Sequence, residues 1–205
     1  MRKLIALAAS AACLVVPGSA SLAATVQLED VSSAGSNFTF TYGGTLAPTE
    51  GVKSGSKLVI LDFAGYVEGS IFSPYSYITG LVEFTTPSIL IDPSITDDPT
   101  IPNLVFTYNG PDFQIDPAPE GSPYAPISFT GLTAGSIYGG SAIDGFATLT
   151  VKNDGTAVGS TVFTAGLVAV PSVVPEPGTW GLMIIGLGAV GLAARRSKRA
   201  RISYS

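Results

Sequence analysis

Along residues 37–42 aromatic and threonine side chains alternate as Asn-Phe-Thr-Phe-Thr-Tyr, the period-two pattern of a strand with one buried face. Gly43-Gly44 is expected to end that strand. Residues 57–66 (KLVILDFAGY) carry apolar side chains at successive positions, the mark of a central strand covered on both faces. Residues 77–86, 103–108, 127–132, 143–151 and 160–170 supply five more β-rich runs. Between the last two lies Asn153-Asp154-Gly155, a hairpin signal because Asp-Gly accommodates positive φ. Nine prolines from Pro87 to Pro126 make that stretch loop-rich, with short strands at most. No segment of this body has a convincing helical period. Short strands divided by turn clusters predict an all-β domain, an antiparallel sandwich or jelly roll, over residues 25–170.

Composition sharpens this picture by exclusion. The chain has 205 residues, 24 Gly, 15 Pro, one Cys and no His. Without histidine there is no Ser-His-Asp or Cys-His catalysis, no His-liganded zinc and no histidine-ligated haem. The net charge of −5 hides an uneven distribution. Residues 1–24 carry +2, residues 25–174 carry −11 and residues 175–205 carry +4. A body at −11 repels phosphate backbones, which argues against nucleic acid as a partner.

Both ends read as addresses. Arg2 and Lys3 precede an apolar run over residues 4–16, then Pro17-Gly18 and the small residues Ser21-Leu22-Ala23-Ala24. That is the layout of a secretory signal peptide over residues 1–24, cleaved after about Ala23 or Ala24. Cys13 lies in the middle of the apolar run, so cleavage leaves a chain with no thiol and no disulfide. At the other end residues 180–194 (WGLMIIGLGAVGLAA) are uncharged and are followed by Arg195, Arg196, Lys198 and Arg199. As a helix they rise about 22 Å, and Trp180 and snorkelling arginines extend the reach toward a bilayer core of about 30 Å. The basic residues 195–205 are expected to stay cytoplasmic, with the body outside the inner membrane. Gly186, Gly188 and Gly191 match a dinucleotide fingerprint, yet the strand before it and the acidic residue beyond it are missing.

Between body and tail, residues 171–179 form a proline-rich linker containing Pro175-Glu176-Pro177, an extended segment that suits a protease. Pro175, Glu176 and Pro177, then Trp180, the glycine-rich apolar run and the arginine cluster resemble the PEP-CTERM sorting signal of exported Gram-negative proteins. More narrowly they resemble its PEPxxWA variant, with Gly181 where that variant has Ala. The resemblance covers about residues 173–199. It implies recognition by a membrane-embedded exosortase, removal of the tail near Pro-Glu-Pro, and association with exopolysaccharide, biofilm or floc matrix.

The body itself offers weaker chemical candidates. Asp62, Glu68 and Glu83 lie near predicted strands without the local signature of a glycan hydrolase, which needs two carboxyls about 5–10 Å apart. Ser56-Lys57 are adjacent, and neighbouring strand side chains point to opposite faces, so they make no dyad. Asp92, Asp97, Asp98, Asp112, Asp116 and Glu120 lie in the proline-rich loops. They either ligate calcium, the one cofactor these motifs suggest, or begin turns. Tyr75, Tyr77 and Tyr124 stand beside prolines, where their rings either contact glycan or cover the ends of the domain. The reading that results is a non-enzymatic exported envelope or matrix protein. Its alternatives are a calcium-assisted carbohydrate-binding module and a carboxylate-dependent glycan hydrolase.

Overall fold

A computed structural model describes residues 23–173, 184–188 and 190. Nine strands form two sheets. β1 (Thr25–Ala34), β2 (Asn37–Leu46) and β7 (Ile127–Ser136) make the smaller, in the order β1-β2-β7. The larger holds β3 (Glu50–Gly51), β4 (Lys57–Ile60), β5 (Ile78–Glu83), β6 (Asn103–Tyr108), β8 (Gly140–Lys152) and β9 (Thr161–Ser172). β9 lies along one edge of β8, β3 and β4 share its other edge, and β6 and β5 follow beyond β4. All pairings are antiparallel.

The sheets face each other across one core. Phe40 and Tyr42 of β2 and Leu132 and Ala134 of β7 meet Leu58, Ile60, Leu104, Phe106 and Phe146 of the larger sheet. Phe63 plugs the centre, its ring edge-on to Phe40, Tyr42 and Tyr66 at centroid distances of 5.7, 6.4 and 6.4 Å. The sequence expectation of an antiparallel all-β sandwich therefore stands.

The run of apolar residues in β4 does what its pattern foretells. Leu58 and Ile60 point into the sandwich, while Val59 and Leu61 point outward with Val105 and Ala147. The outward side is covered by the segment 87–102, from which Ile89, Leu90 and Ile95 pack onto the sheet. That strap also explains Gly145, where a Cβ would collide with Ile95.

Local boundaries depart from expectation at several strands: β5 is shorter than the 77–86 run, β7 runs on to Ser136 and β8 begins at Gly140. Gly43-Gly44 does not end β2, which runs on to Leu46 through a bulge between Tyr42 and Gly44. The glycines are needed there because the Phe129 and Thr25 backbones press against them, leaving no room for a Cβ. The 57–66 strand stops at Ile60, and Asp62 turns the chain with φ of +51°. The hairpin at Asn153-Asp154-Gly155 does connect β8 to β9, through a loop containing a single 3-10 turn at Gly155–Ala157.

The signal peptide, apart from Ala23 and Ala24, lies outside the described residues. So does the expected membrane helix over residues 180–194, apart from residues 184–188 and 190, which are helical and exposed. Among the described residues no helix is long and apolar enough to cross a membrane.

Two substitutions test the core. Phe63→Ala removes a fully buried ring and is expected to cost about 3–5 kcal/mol. Tyr42 buries a hydroxyl that has no hydrogen-bond partner, so Tyr42→Phe is expected to stabilise by about 1 kcal/mol. Urea denaturation reads both; destabilisation by Tyr42→Phe would show that the hydroxyl is bonded.

Candidate functional site

The sorting residues Pro175, Glu176, Pro177 and Trp180, and the basic residues Arg195, Arg196, Lys198 and Arg199, all lie outside the described residues. Within the body, chemistry gathers in two places: an acidic corner and the open end of the sandwich.

The acidic corner forms where β4 ends. The backbone of Asp62, in its left-handed conformation, donates N–H to the Asn103 side-chain oxygen at 2.9 Å. Asn103 is fully buried and donates from its amide to Asp97 at 2.6 Å. The Asp62 carboxylate in turn accepts the backbone N–H of Asp98 at 3.0 Å. From β8, Asp144 stands beside Asp62 and accepts the N–H of Gly145 at 2.6 Å. The corner thus ties the 87–102 strap to β4, β6 and β8.

Burial dominates its electrostatics. Removal from water pushes Asp62 up to about 6, and the neighbouring charges of Asp144, Asp97 and Asp98 add to the rise against the Asp98 hydrogen bond. Burial raises Asp144 as well, opposed by its bond to Gly145.

Two of the loop acids expected as calcium candidates close turns. Asp92 accepts both the N–H and the hydroxyl of Ser94, at 2.9 and 2.7 Å. Asp98 holds Thr100 in the same way, at 2.9 and 2.7 Å. These side-chain turns hold both carboxyls below the ordinary aspartate range. Among the described residues no group of three acidic side chains is spaced to hold a metal ion, so Asp92, Asp97, Asp98, Asp112, Asp116 and Glu120 are not brought together as one. Asp144 joins the corner from β8, and Asp62 from the turn just past β4. Only contacts far apart in sequence could have revealed Asp144.

The second place lies where β2, β6 and β8 end and β4, β5 and β7 begin. There the sheets leave an apolar cavity of about 210 Å³, bordered by Leu58, Phe106, Phe113, Phe129, Tyr77 and Tyr108 among others. Tyr77 and Tyr108 meet edge-on at 6.4 Å. Tyr75 and Tyr77 both border this opening and are both exposed, Tyr77 by 55%, whereas Tyr124 is not part of it. The two expectations for these rings merge at Tyr75 and Tyr77, which cover the end of the domain and face solvent. Lys57 also borders the opening.

The match to a known family falls on the tail. Residues 173–199 match the PEP-CTERM protein-sorting motif, the family that the Pro-Glu-Pro, Trp180 and arginine order resembles. The chain therefore carries a sorting signal of exported proteins, of the kind processed by an exosortase, a membrane enzyme. No curated protein and no solved structure matches the chain.

The corner has a measurable consequence. Asp62 and Asp144 keep protons to higher pH when folded, so their contribution to stability is greatest below the ordinary aspartate value of 3.8 and is lost as pH rises through about 6. Asp62→Asn tolerates the positive φ, keeps an acceptor for Asp98 and removes the charge. It is expected to stabilise by about 1 kcal/mol at pH 7.5, after discounting for solvent screening, and by little at pH 4. Thermal unfolding at the two pH values checks this, and equal effects at both would refute the coupling.

Proposed function

We propose that this protein is a non-enzymatic component of the cell envelope or extracellular matrix, displayed as a β-sandwich by its C-terminal sorting tail. The PEP-CTERM motif at residues 173–199 carries this reading. In it, the signal peptide takes the chain through the inner membrane and residues 180–194 hold it there, with Arg195, Arg196, Lys198 and Arg199 on the cytoplasmic side. An exosortase then acts near Pro175-Glu176-Pro177, and the released body associates with exopolysaccharide. The acidic body supports delivery away from anionic surfaces rather than retention on them.

A carbohydrate-binding body is the second reading, favoured by the exposed rings of Tyr75 and Tyr77 at one end of the sandwich. Such rings stack on the apolar faces of sugars while the hydroxyls stay in water. Cosedimentation with the host's exopolysaccharide, with and without a chelator, separates calcium-assisted from calcium-independent contact.

Intact-mass analysis of protein released into the matrix of the native host tests the leading reading. The expected species lacks the residues beyond about Gly178. Recovery of chain extending to Ser205 would contradict processing.

A further inference from the structure

The cavity at the open end of the sandwich has a chemistry of its own, independent of the sorting tail. Seven hydroxyls border it, and the protein already engages six, all but that of the exposed Tyr77. Ser56 accepts the Lys53 N–H at 3.1 Å, and Thr150 donates to Glu50 at 2.9 Å. Thr148 reaches the Thr164 carbonyl at 3.5 Å, and Ser128 reaches Thr45 at 3.5 Å. Tyr108 donates to the Pro111 carbonyl at 2.7 Å, and Tyr75 accepts the Thr130 N–H at 3.1 Å. The walls are otherwise aliphatic and aromatic. A sugar entering here would shed water from its hydroxyls and find few partners, at a cost of several kcal/mol for each polar group. A hydrocarbon would lose nothing. An engineered apolar cavity of about 150 Å³ holds benzene, so about 210 Å³ has room for on the order of eight carbons.

Charge marks the opening. Of the three lysines in residues 25–174, Lys152 pairs with Asp154 at 3.0 Å. Of the other two, Lys57 borders the cavity, and Lys53 lies on the turn closed by Ser56, which borders it too. Among the described residues neither forms an ion pair. Acidic groups on this side include Asp112, which faces Tyr108, Glu50, buried behind Thr150 and bonded to it, and Glu29, which accepts the hydroxyl of Thr130. In a body of charge −11 this is the end where an anion finds cations.

The chain's own tail leaves elsewhere. Ser172 pairs with Gly140, at the opposite end of β8 from Thr148 and Thr150, which border the cavity. Eight to ten strand residues separate the two ends, roughly 30 Å. A body held by its tail therefore turns the cavity away from the point of attachment.

We propose that this cavity takes the hydrocarbon chain of a single anionic amphiphile of the fatty-acid type, with the carboxylate held at Lys53 and Lys57. The probes are decanoate and decanol, titrated by calorimetry into the processed protein purified from its host. Decanoate is expected to bind saturably at one site, about fivefold tighter than decanol, and to raise the melting temperature. Lys53→Gln with Lys57→Gln should bring decanoate to the level of decanol and leave decanol unchanged. Val52→Trp, which fills the cavity from one wall, should abolish both. Ser128→Trp on the facing wall does the same if Val52→Trp fails to fold. Absence of saturable binding, or binding indifferent to both filling variants, overturns the site. Equal affinity for the two probes overturns the anionic head.

Discussion

Residues 57–60 bury apolar side chains in both directions, and a chain that contains such a strand must cover it twice. The inward cover is the smaller sheet, which brings Phe40, Tyr42, Leu132 and Ala134 over Leu58 and Ile60. The outward cover is the 87–102 strap, which lays Ile89, Leu90 and Ile95 over Val59 and Leu61. The signal-cleaved chain would hold no cysteine, so no disulfide would assist. Burial on both faces of β4 is what turns a proline-rich loop into part of the core.

That second cover brings a carboxyl cluster with it. To reach the outer face the strap passes the end of β4, where Asp62 reverses the chain and Asn103 fixes both backbone and strap. Asp97 and Asp98 arrive from the strap and Asp144 from β8, so four aspartates meet where water is partly excluded. Burial and the like charges of Asp144, Asp97 and Asp98 raise Asp62, and this is why the corner responds to pH. Its hydrogen bonds join strap to sheet and fasten one to the other.

Much of this was legible in the chain. Asn103–Tyr108 was readable to the residue, and the two-sided burial of β4 followed from its unbroken apolar run. β1 was not legible, because the bulge between Leu28 and Asp30 shifts its phase and Val26, Leu28 and Val31 no longer alternate. β3, with two residues, has no period to show. The sites divide in the same way. Tyr75 and Tyr77 could be singled out from the prolines beside them, but Phe106, Tyr108, Phe113 and Phe129 join them only through tertiary pairing. The loop aspartates looked alike in sequence, yet Asp92 and Asp98 close turns while Asp97 fastens to Asn103.

Address and cargo are thus separate in this protein. Residues 173–199 carry a specific, ordered signal, whereas the sandwich carries a fold and an apolar opening whose chemistry is its own. The most direct measurement of that division is fractionation of the native host after Pro175, Glu176 and Pro177 are all replaced by Ala. The account predicts a folded body retained in the membrane fraction and missing from the matrix. Unchanged release into the matrix would contradict it.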